Sequence, residues 1–270
     1  MRPRTILIAI AILGFIPVAF LATNHVRGLV GSFSELEPGF ESDELADVLF
    51  LNVDPYANWT RPNGLVRVGI QAGHWNAADA PDEQEGLRDN TGAAAAGVTE
   101  WETNLKIAEE LKNILEEKNI VVDLLPTTIP PEYWADAFIS IHADGNADRR
   151  VTGYKVASPR RDRSGTAARL AALVEASYGS TTGMVIDPNI TGNMRGYYAF
   201  NWRRYDHSIH PMTPGIIVET GFITNAKDRA IIAQNPRRSA EGIANGVMSF
   251  LNETIPHALS ASSTTSTGTL

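Results

Sequence analysis

The 270-residue sequence contains no cysteine, which excludes thiolate zinc sites, a cysteine nucleophile and disulfide bonds. A chain without thiols is compatible with any redox compartment. No run of lysine or arginine is longer than two residues, and the formal net charge is −8. Because proteins that bind nucleic acids or anionic membrane surfaces usually carry a basic patch, both classes are disfavoured. The sequence also has no internal repeat and lacks the Gly-x-Ser-x-Gly turn of serine hydrolases.

One long uncharged run is present at the N-terminus, where residues 5–23 follow Arg2 and Arg4. Its length is close to the roughly twenty residues that cross a bilayer as a helix. It is longer than the usual apolar core of a signal peptide, and it lacks a small-x-small cleavage site, which favours an uncleaved anchor. We therefore expect residues 1–24 to be a signal peptide or transmembrane anchor, with the remainder of the chain outside the cytoplasm.

The rest of the chain divides by composition into three parts. Residues 25–64 are acidic and rich in Gly, Pro and Asn, which is typical of a stalk. Residues 65–254 alternate short apolar runs with helical patterns, which predicts a single α/β domain of three layers. Its central sheet is expected to be mixed but mostly parallel, with flanking helices. The Ser/Thr-rich tail, residues 255–270, has little to bury and is expected to be disordered.

Polar side chains follow several of the predicted strands. The apolar stretch 137–141 is followed by His142, an alternating stretch that begins at Leu65 leads to His74, and the apolar run 215–218 is followed by Glu219. In open α/β sheets, functional groups cluster beyond the carboxyl ends of the strands. Taken alone, His142 is more readily a hydrogen-bonded structural histidine than a metal ligand.

A helix is predicted to begin at Thr99, because apolar residues recur from Leu105 to Leu115 at spacings of three and four. Thr99 and Glu102 have the spacing of a capping box, which gives Glu102 a structural role. Glu100 has no such role, although acidic residues are common in a first turn because of the helix dipole alone.

Together, these side chains are of the residue types that a catalytic zinc site requires: His74, Glu100, His142 and Glu219. Such a site uses three nitrogen and oxygen ligands and leaves the fourth position to water, whose pKa falls to about 7. A carboxylate that is not a ligand then carries the proton to the leaving group. The spacings between the four residues are irregular and are not diagnostic by themselves.

Four stretches resemble, in order, the motifs of the zinc-dependent N-acetylmuramoyl-L-alanine amidases of bacterial cell walls: Gly73-His74, Glu100 with residues 104–108, residues 138–144 and residues 217–225. The resemblance covers residues 65–253. It implies that His74, Glu100 and His142 hold Zn²⁺ and that Glu219 is the catalytic carboxylate. It also implies a mixed α/β fold, peptidoglycan as the substrate, and hydrolysis of the amide that joins the lactyl group of N-acetylmuramic acid to L-alanine.

The chain departs from the family pattern next to the first histidine. Gln71-Ala72 precede Gly73, where the family usually has an aspartate, and Trp75 follows His74. An outer partner of a ligand, or the rim of the pocket, is therefore expected to differ.

The segment before Glu219 also differs from the family pattern and carries further polar candidates. His207 and His210 are alternative acids or extra ligands. Several arginines of this segment are candidates to pair with carboxylates of the stem peptide, namely Arg195, Arg203 and Arg204.

Two other functions are compatible with the sequence. The first is a zinc peptidase that acts on peptides in general, which differs from the amidase in its products. The second is a wall-binding module that keeps the fold without activity. The presence of Glu219 argues against that module, since a protein that only binds has no need of a proton carrier.

Overall fold

The computed structural model of the protein describes residues 54–256, which fall into two units, residues 54–60 and residues 61–256. In the shorter unit, turns are closed by hydrogen bonds from Ala57 N to Asp54 O and from Trp59 N to Tyr56 O.

The predicted anchor, residues 1–24, lies outside the described residues, as do residues 25–53 of the predicted stalk and residues 257–270 of the predicted tail. Within the described range, no helix combines the length and the hydropathy that a membrane crossing requires.

The centre of the longer unit is a five-stranded sheet. Its strands are β1 (Arg67–Ala72), β4 (Val121–Leu125), β5 (Ala137–Asp144), β6 (Lys155–Ala157) and β7 (Gly215–Phe222), while β2 (Ala94–Ala95) and β3 (Val98–Thr99) form a separate two-stranded ribbon. The order in the sheet is β4-β1-β5-β7-β6, in which the first four strands are parallel and β6 runs antiparallel to β7. The prediction of a mixed, mostly parallel sheet is confirmed.

Helices accompany the sheet along the chain. They are α1 (Glu100–Glu116), α2 (Ala167–Thr182), α3 (Gly192–Arg195), α4 (Ala226–Ile232) and α5 (Pro236–Thr254), with single 3₁₀ segments at Ala77–Asp79, Asp82–Leu87 and Tyr198–Phe200. The long helices α1, α2 and α5 share one core cluster with alternate strand residues such as Ile139 and Ile141. Phe138, which precedes Ile139 in β5, belongs to a second cluster with residues of α3 and the Tyr198–Phe200 segment.

The two faces of the sheet are therefore covered differently. Successive side chains of a strand point to opposite faces, so His142 lies on the face of Phe138, opposite the face on which the core cluster of the long helices packs. Short helices and loops cover that face, and they leave room there for a site.

The strand ends expected from the sequence are wrong, because β5 continues through His142 to Asp144 and β7 continues through Glu219 to Phe222. His142 and Glu219 are direct partners in the parallel register of these strands. Strand pairing uses backbone groups only, so a polar side chain does not end it when the neighbouring strand continues.

The helix predicted from Thr99 is α1, with Thr99 as its N-cap residue. The Thr99 hydroxyl donates to Glu102 Oε2 at 2.6 Å, and the Thr99 side chain accepts no backbone hydrogen bond. Glu102 is thus engaged at the helix start, through a side-chain pair in place of the reciprocal capping box.

Candidate metal centre

Three of the residues predicted for the site converge in space. His74 follows β1 in a left-handed backbone conformation with φ 65°, Glu100 is the first residue of α1, and His142 lies in β5. Glu100 Oε1 lies 3.2 Å from His74 Nε2 and 3.2 Å from His142 Nδ1. One potential ligand atom from each residue lies within 4.8 Å of the others.

The hydrogen bond on the far side of His74 fixes the form of its ring. His74 Nδ1 lies 2.9 Å from the carbonyl oxygen of Asn90, which can only accept. Nδ1 therefore carries the hydrogen, and the Nε2 lone pair is directed at Glu100.

The far side of the His142 ring is held in a related way. His142 Nε2 lies 3.0 Å from the Tyr197 hydroxyl, which in turn donates to Gln71 Oε1 at 3.0 Å. Because the hydroxyl hydrogen is directed at Gln71 Oε1 or at the Tyr198 hydroxyl, each at 3.0 Å, the Tyr197 oxygen accepts from Nε2–H. The lone pair of His142 Nδ1 then faces Glu100.

Glu100 is buried and surrounded by donors. Its Oε2 accepts from Ala93 N at 2.7 Å, and its Oε1 accepts from Ala143 N at 3.2 Å and from Asn104 Nδ2 at 3.4 Å. Burial raises the pKa of Glu100, but the hydrogen bonds and charges of His142 and His74 outweigh it and hold the pKa far below its usual range. Glu100 is therefore ionised at neutral pH.

The electrostatics of this spot favour a positive charge. Burial lowers the pKa of His74, but the hydrogen bond and charge of Glu100 outweigh it, so the pKa is raised overall. In their neutral forms both imidazoles present a lone pair beside the Glu100 carboxylate. This acceptor-only set is satisfied by a bound cation in place of the protons of the Glu100 hydrogen bonds. This donor set matches a catalytic zinc site with three protein ligands.

Glu219 lies beside the cluster without belonging to it. In the sheet register it is flanked by His142 of β5 and by Lys155 of β6, so the three side chains share one face. Glu219 Oε2 is buried and has no hydrogen-bond partner in the described part of the chain. Burial, followed by the negative charges of Asp144 and Glu100, raises the pKa of Glu219 well above its usual value.

Lys155 was not identified from the sequence. Its ammonium group is buried between two carboxylates, at 2.6 Å from Asp144 Oδ2 and 2.9 Å from Asp187 Oδ2. No motif or periodicity in the sequence marks it. Its partners come from distant segments, so the sequence could not identify the pairing.

A buried polar network behind His142 was also missed. Ser140 Oγ donates to Gln71 Oε1 at 2.7 Å, and Gln71 Nε2 and the Tyr198 hydroxyl both donate to Thr127 O, at 2.5 and 2.6 Å. Gln71 is the residue at which the chain departs from the family aspartate. The structure connects it to His142 through Tyr197.

The backbone at Gly92 lies directly against Glu100 and His74. Its φ of +77° is left-handed, and a Cβ there would collide with the Glu100 carboxylate and lie 2.8 Å from His74 Cδ2. The segment from Trp75 to Val98, to which Gly92 belongs, thus forms part of the wall around the potential ligand atoms.

His207 and His210 are not brought into the cluster. His207 Nδ1 lies 2.7 Å from Glu83 Oε1, and His210 Nδ1 accepts from Met212 N at 3.2 Å. Across residues 54–256, the group of potential metal-binding side chains comprises His74, Glu100 and His142. The alternative in which His207 or His210 is an additional ligand is not supported, because both rings are engaged elsewhere.

Residues 68–249 match the family model described as N-acetylmuramoyl-L-alanine amidase. The chain belongs to this family. It is therefore an N-acetylmuramoyl-L-alanine amidase, a hydrolase that cleaves the amide between N-acetylmuramic acid and L-alanine in peptidoglycan. No curated protein matches the chain.

Solved amidase structures share the fold. The N-acetylmuramoyl-L-alanine amidase from Clostridium difficile 630 is 21% identical, with a TM-score of 0.52 over 71% of this chain and 100% of that one. The amidase AmiC2 of Nostoc punctiforme is 22% identical, with a TM-score of 0.51 over 71% and 99% of the two chains. Ami1 from Mycobacterium smegmatis is 17% identical, with a TM-score of 0.51 over 70% and 98%.

Proposed function

We propose that His74, Glu100 and His142 hold Zn²⁺ in this amidase and that Glu219 is its catalytic carboxylate. The observation that carries the proposal is the acceptor-only cluster of two imidazoles and one carboxylate, beside a buried carboxyl oxygen without a partner. Bound zinc would supply Lewis acidity for the amide carbonyl and lower the pKa of a water to about 7.

In the proposed reaction, Glu219 accepts a proton from the attacking water as the new C–O bond forms. It returns that proton to the alanine nitrogen as the C–N bond breaks, so the products are a free lactyl carboxylate and a free α-amine. The raised pKa of Glu219 suits a group that must hold the proton between the two steps. The substrate would enter through a cavity of about 340 Å³ whose walls include His74, His142 and Tyr197.

We further propose that the amidase acts outside the cytoplasm, where peptidoglycan lies. In this proposal, residues 1–24 direct export as a signal peptide or anchor, residues 25–64 are a stalk, residues 65–254 are the catalytic domain, and residues 255–270 are a disordered tail. The basic start and the uncharged run that follows support this arrangement. Cell fractionation with protease protection tests it, and a protein recovered only in the cytosol would contradict it.

Digestion of purified peptidoglycan by the zinc-loaded protein tests the reaction. Mass spectrometry should find glycan with free lactyl carboxylates and peptides that begin with a free L-alanine amine. Metal analysis should give one zinc per chain, and a chelator should abolish both zinc content and turnover. Cleavage within the stem peptide alone would instead indicate a general zinc peptidase, and wall binding without products would indicate an inactive module. Either result would overturn the proposal.

A further inference from the structure

A second cavity, of about 220 Å³, adjoins the one that contains the metal centre. The two cavities share Gly196 and Tyr197 in their walls. Because the Tyr197 hydroxyl lies 3.0 Å from His142 Nε2, one aromatic side chain separates the second cavity from the candidate ligands. A polymeric substrate that is cleaved at the metal centre can therefore extend into the second cavity.

The wall of the second cavity is rich in arginine. It contains Arg160 and Arg161 from the loop after β6, and Arg195 and Arg203 from the segment that begins with α3. We call this space the arginine cavity. Arg160 N donates to Arg195 O at 2.9 Å, so the two segments are joined at the cavity.

The guanidinium groups of the arginine cavity carry uncompensated charge. Within residues 61–256, none of the four has a carboxylate at ion-pair distance, although the whole chain has a net charge of −8. The acidic residue nearest to Arg161 in sequence, Asp162, is engaged at the start of α2, where it accepts from Ala167 N at 2.9 Å and Ser164 Oγ at 2.6 Å. Among the described residues, the arginines of this cavity thus have no carboxylate as an ion-pair partner.

Aromatic residues complete the wall. Phe200 and Trp202 line the arginine cavity, and the Arg203 guanidinium lies 5.0 Å from the centroid of the Trp202 ring. Stacking on an indole favours a defined orientation of the guanidinium over free rotation in solvent. A ligand for this cavity therefore combines a carboxylate, which pairs with a guanidinium fork, with an apolar stem.

We propose that the arginine cavity binds a carboxylate of the stem peptide and makes the enzyme selective for stem peptides whose carboxylates are free over those in which they are amidated. This inference rests on the proposed function. A peptide advances about 3.4 Å per residue, so the carboxylates that follow L-alanine lie within one or two residues of the cleaved amide. Amidation removes the negative charge and replaces one acceptor oxygen by a donor, which faces a guanidinium unfavourably.

Kinetics on matched soluble muropeptides test the proposal. The set holds a muropeptide with free stem carboxylates and versions amidated singly at each one. We expect amidation at the recognised position to raise KM by roughly tenfold, the value of a charge-assisted hydrogen bond, with little change in kcat. The variants Arg160→Gln, Arg161→Gln and Arg203→Gln should each raise KM for the free form and reduce the preference. The position at which amidation raises KM identifies the stem-peptide carboxylate that the arginine cavity binds.

Arg169→Gln is the matched control, because Arg169 is an exposed arginine that pairs with Glu253 and lines neither cavity. It should leave the preference unchanged. Equal KM values for free and amidated substrates in the wild-type protein, or a preference that survives all three of these variants and also Arg195→Gln, would overturn the proposal.

Calorimetric binding of the isolated stem peptides separates this proposal from the proposed function. If no muropeptide is cleaved, the proposed function fails, while tighter binding of the free-carboxylate peptide by the wild-type protein still supports the cavity. If cleavage proceeds but binding does not distinguish the two peptides, the arginine cavity alone is rejected. Melting temperatures of the three variants serve as the check on folding.

Discussion

The three residues proposed as ligands and the proposed catalytic Glu219 are held in opposite ways. Each imidazole has one nitrogen directed at Glu100 and the other hydrogen-bonded, to Asn90 O or to the Tyr197 hydroxyl. Glu219 instead has a buried oxygen without a partner in the described range.

This difference separates a group that must stay in place from a group that must exchange a proton. Outer hydrogen bonds fix the orientation of a metal ligand and the nitrogen that it presents. A buried carboxyl oxygen without a partner costs about 1–3 kcal/mol of folding stability, and such costs persist mainly at functional sites. The absence of a partner for Glu219 is thus consistent with a substrate or water as its partner in the reaction.

The largest expected effect comes from Glu219→Gln. The amide keeps the volume of the side chain but cannot carry the proton, so turnover of peptidoglycan should fall by roughly 10²–10⁴-fold. Zinc content should stay at the wild-type level, because Glu219 lies outside the cluster of potential ligands.

Glu109→Gln, an exposed substitution on α1, is the control and should be active. Parallel assays of turnover and zinc content on both variants measure the effect. Loss of zinc from Glu219→Gln would show that the two roles are not separate.

Two glutamates of the first turn of α1 sharpen the comparison. Glu100→Ala removes a proposed ligand, and we expect zinc affinity to fall by more than the roughly 10–100-fold that loss of an outer partner costs. Glu102→Ala breaks only the hydrogen bond with Thr99, so it should lower the free energy of unfolding by about 1 kcal/mol and leave zinc affinity unchanged.

Zinc affinity from competition with a chromophoric chelator, together with thermal denaturation, distinguishes the two variants. Equal losses of zinc from both would mean that the helix start as a whole, and not the Glu100 carboxylate, holds the site together.

Much of the fold was accessible from the sequence, for a physical reason. Apolar runs such as residues 137–141 and 215–218 are buried on both faces, so they predict parallel strands without any long-range information. His74, Glu100 and His142, which the structure brings together at the candidate metal centre, were predicted from their chemistry and from the motifs. The ends of β5 and β7 were not predicted, because backbone pairing continues past a polar side chain.

The surroundings of the site were less accessible. Tyr197 lies in a segment without periodicity, and its contacts with Gln71 and His142 join residues that are far apart in the sequence. Lys155 and Gly92 are comparable cases. Neither an ion pair of a strand lysine with carboxylates of other segments nor a left-handed glycine beside a carboxylate leaves a local pattern. Sequence patterns therefore identified the groups at the centre more readily than the contacts that orient them.

Tyr197→Phe tests whether the outer hydrogen bond on His142 contributes to the metal centre. The substitution removes the hydroxyl that accepts from Nε2, so His142 is less strictly oriented and zinc affinity should fall by about 10–100-fold. The loss should appear in chelator competition on the protein without substrate.

Tyr205→Phe is the control, because Tyr205 lies in the same segment and lines neither cavity. It should bind zinc as the wild-type protein does. An unchanged affinity in Tyr197→Phe would mean that packing alone orients His142.

The smallest expected effect is the loss of zinc affinity in Gly92→Ala relative to its control, Gly97→Ala. Gly92 and Gly97 both have left-handed φ, at +77° and +76°, so alanine at either position should cost about 1–2 kcal/mol of folding stability. At Gly97 a Cβ would meet nothing within 4 Å, whereas at Gly92 it would collide with Glu100 and approach His74. Only Gly92→Ala should therefore also lower zinc affinity, by roughly tenfold, because the collision displaces the carboxylate of Glu100, a proposed ligand. Thermal denaturation without metal should show the backbone cost in both variants, with the collision adding to it in Gly92→Ala, and zinc titration should separate them. If the two zinc titrations coincided, displacement of the Glu100 carboxylate would not affect zinc binding. The contrast between proposed ligands that must stay in place and Glu219 would then no longer hold.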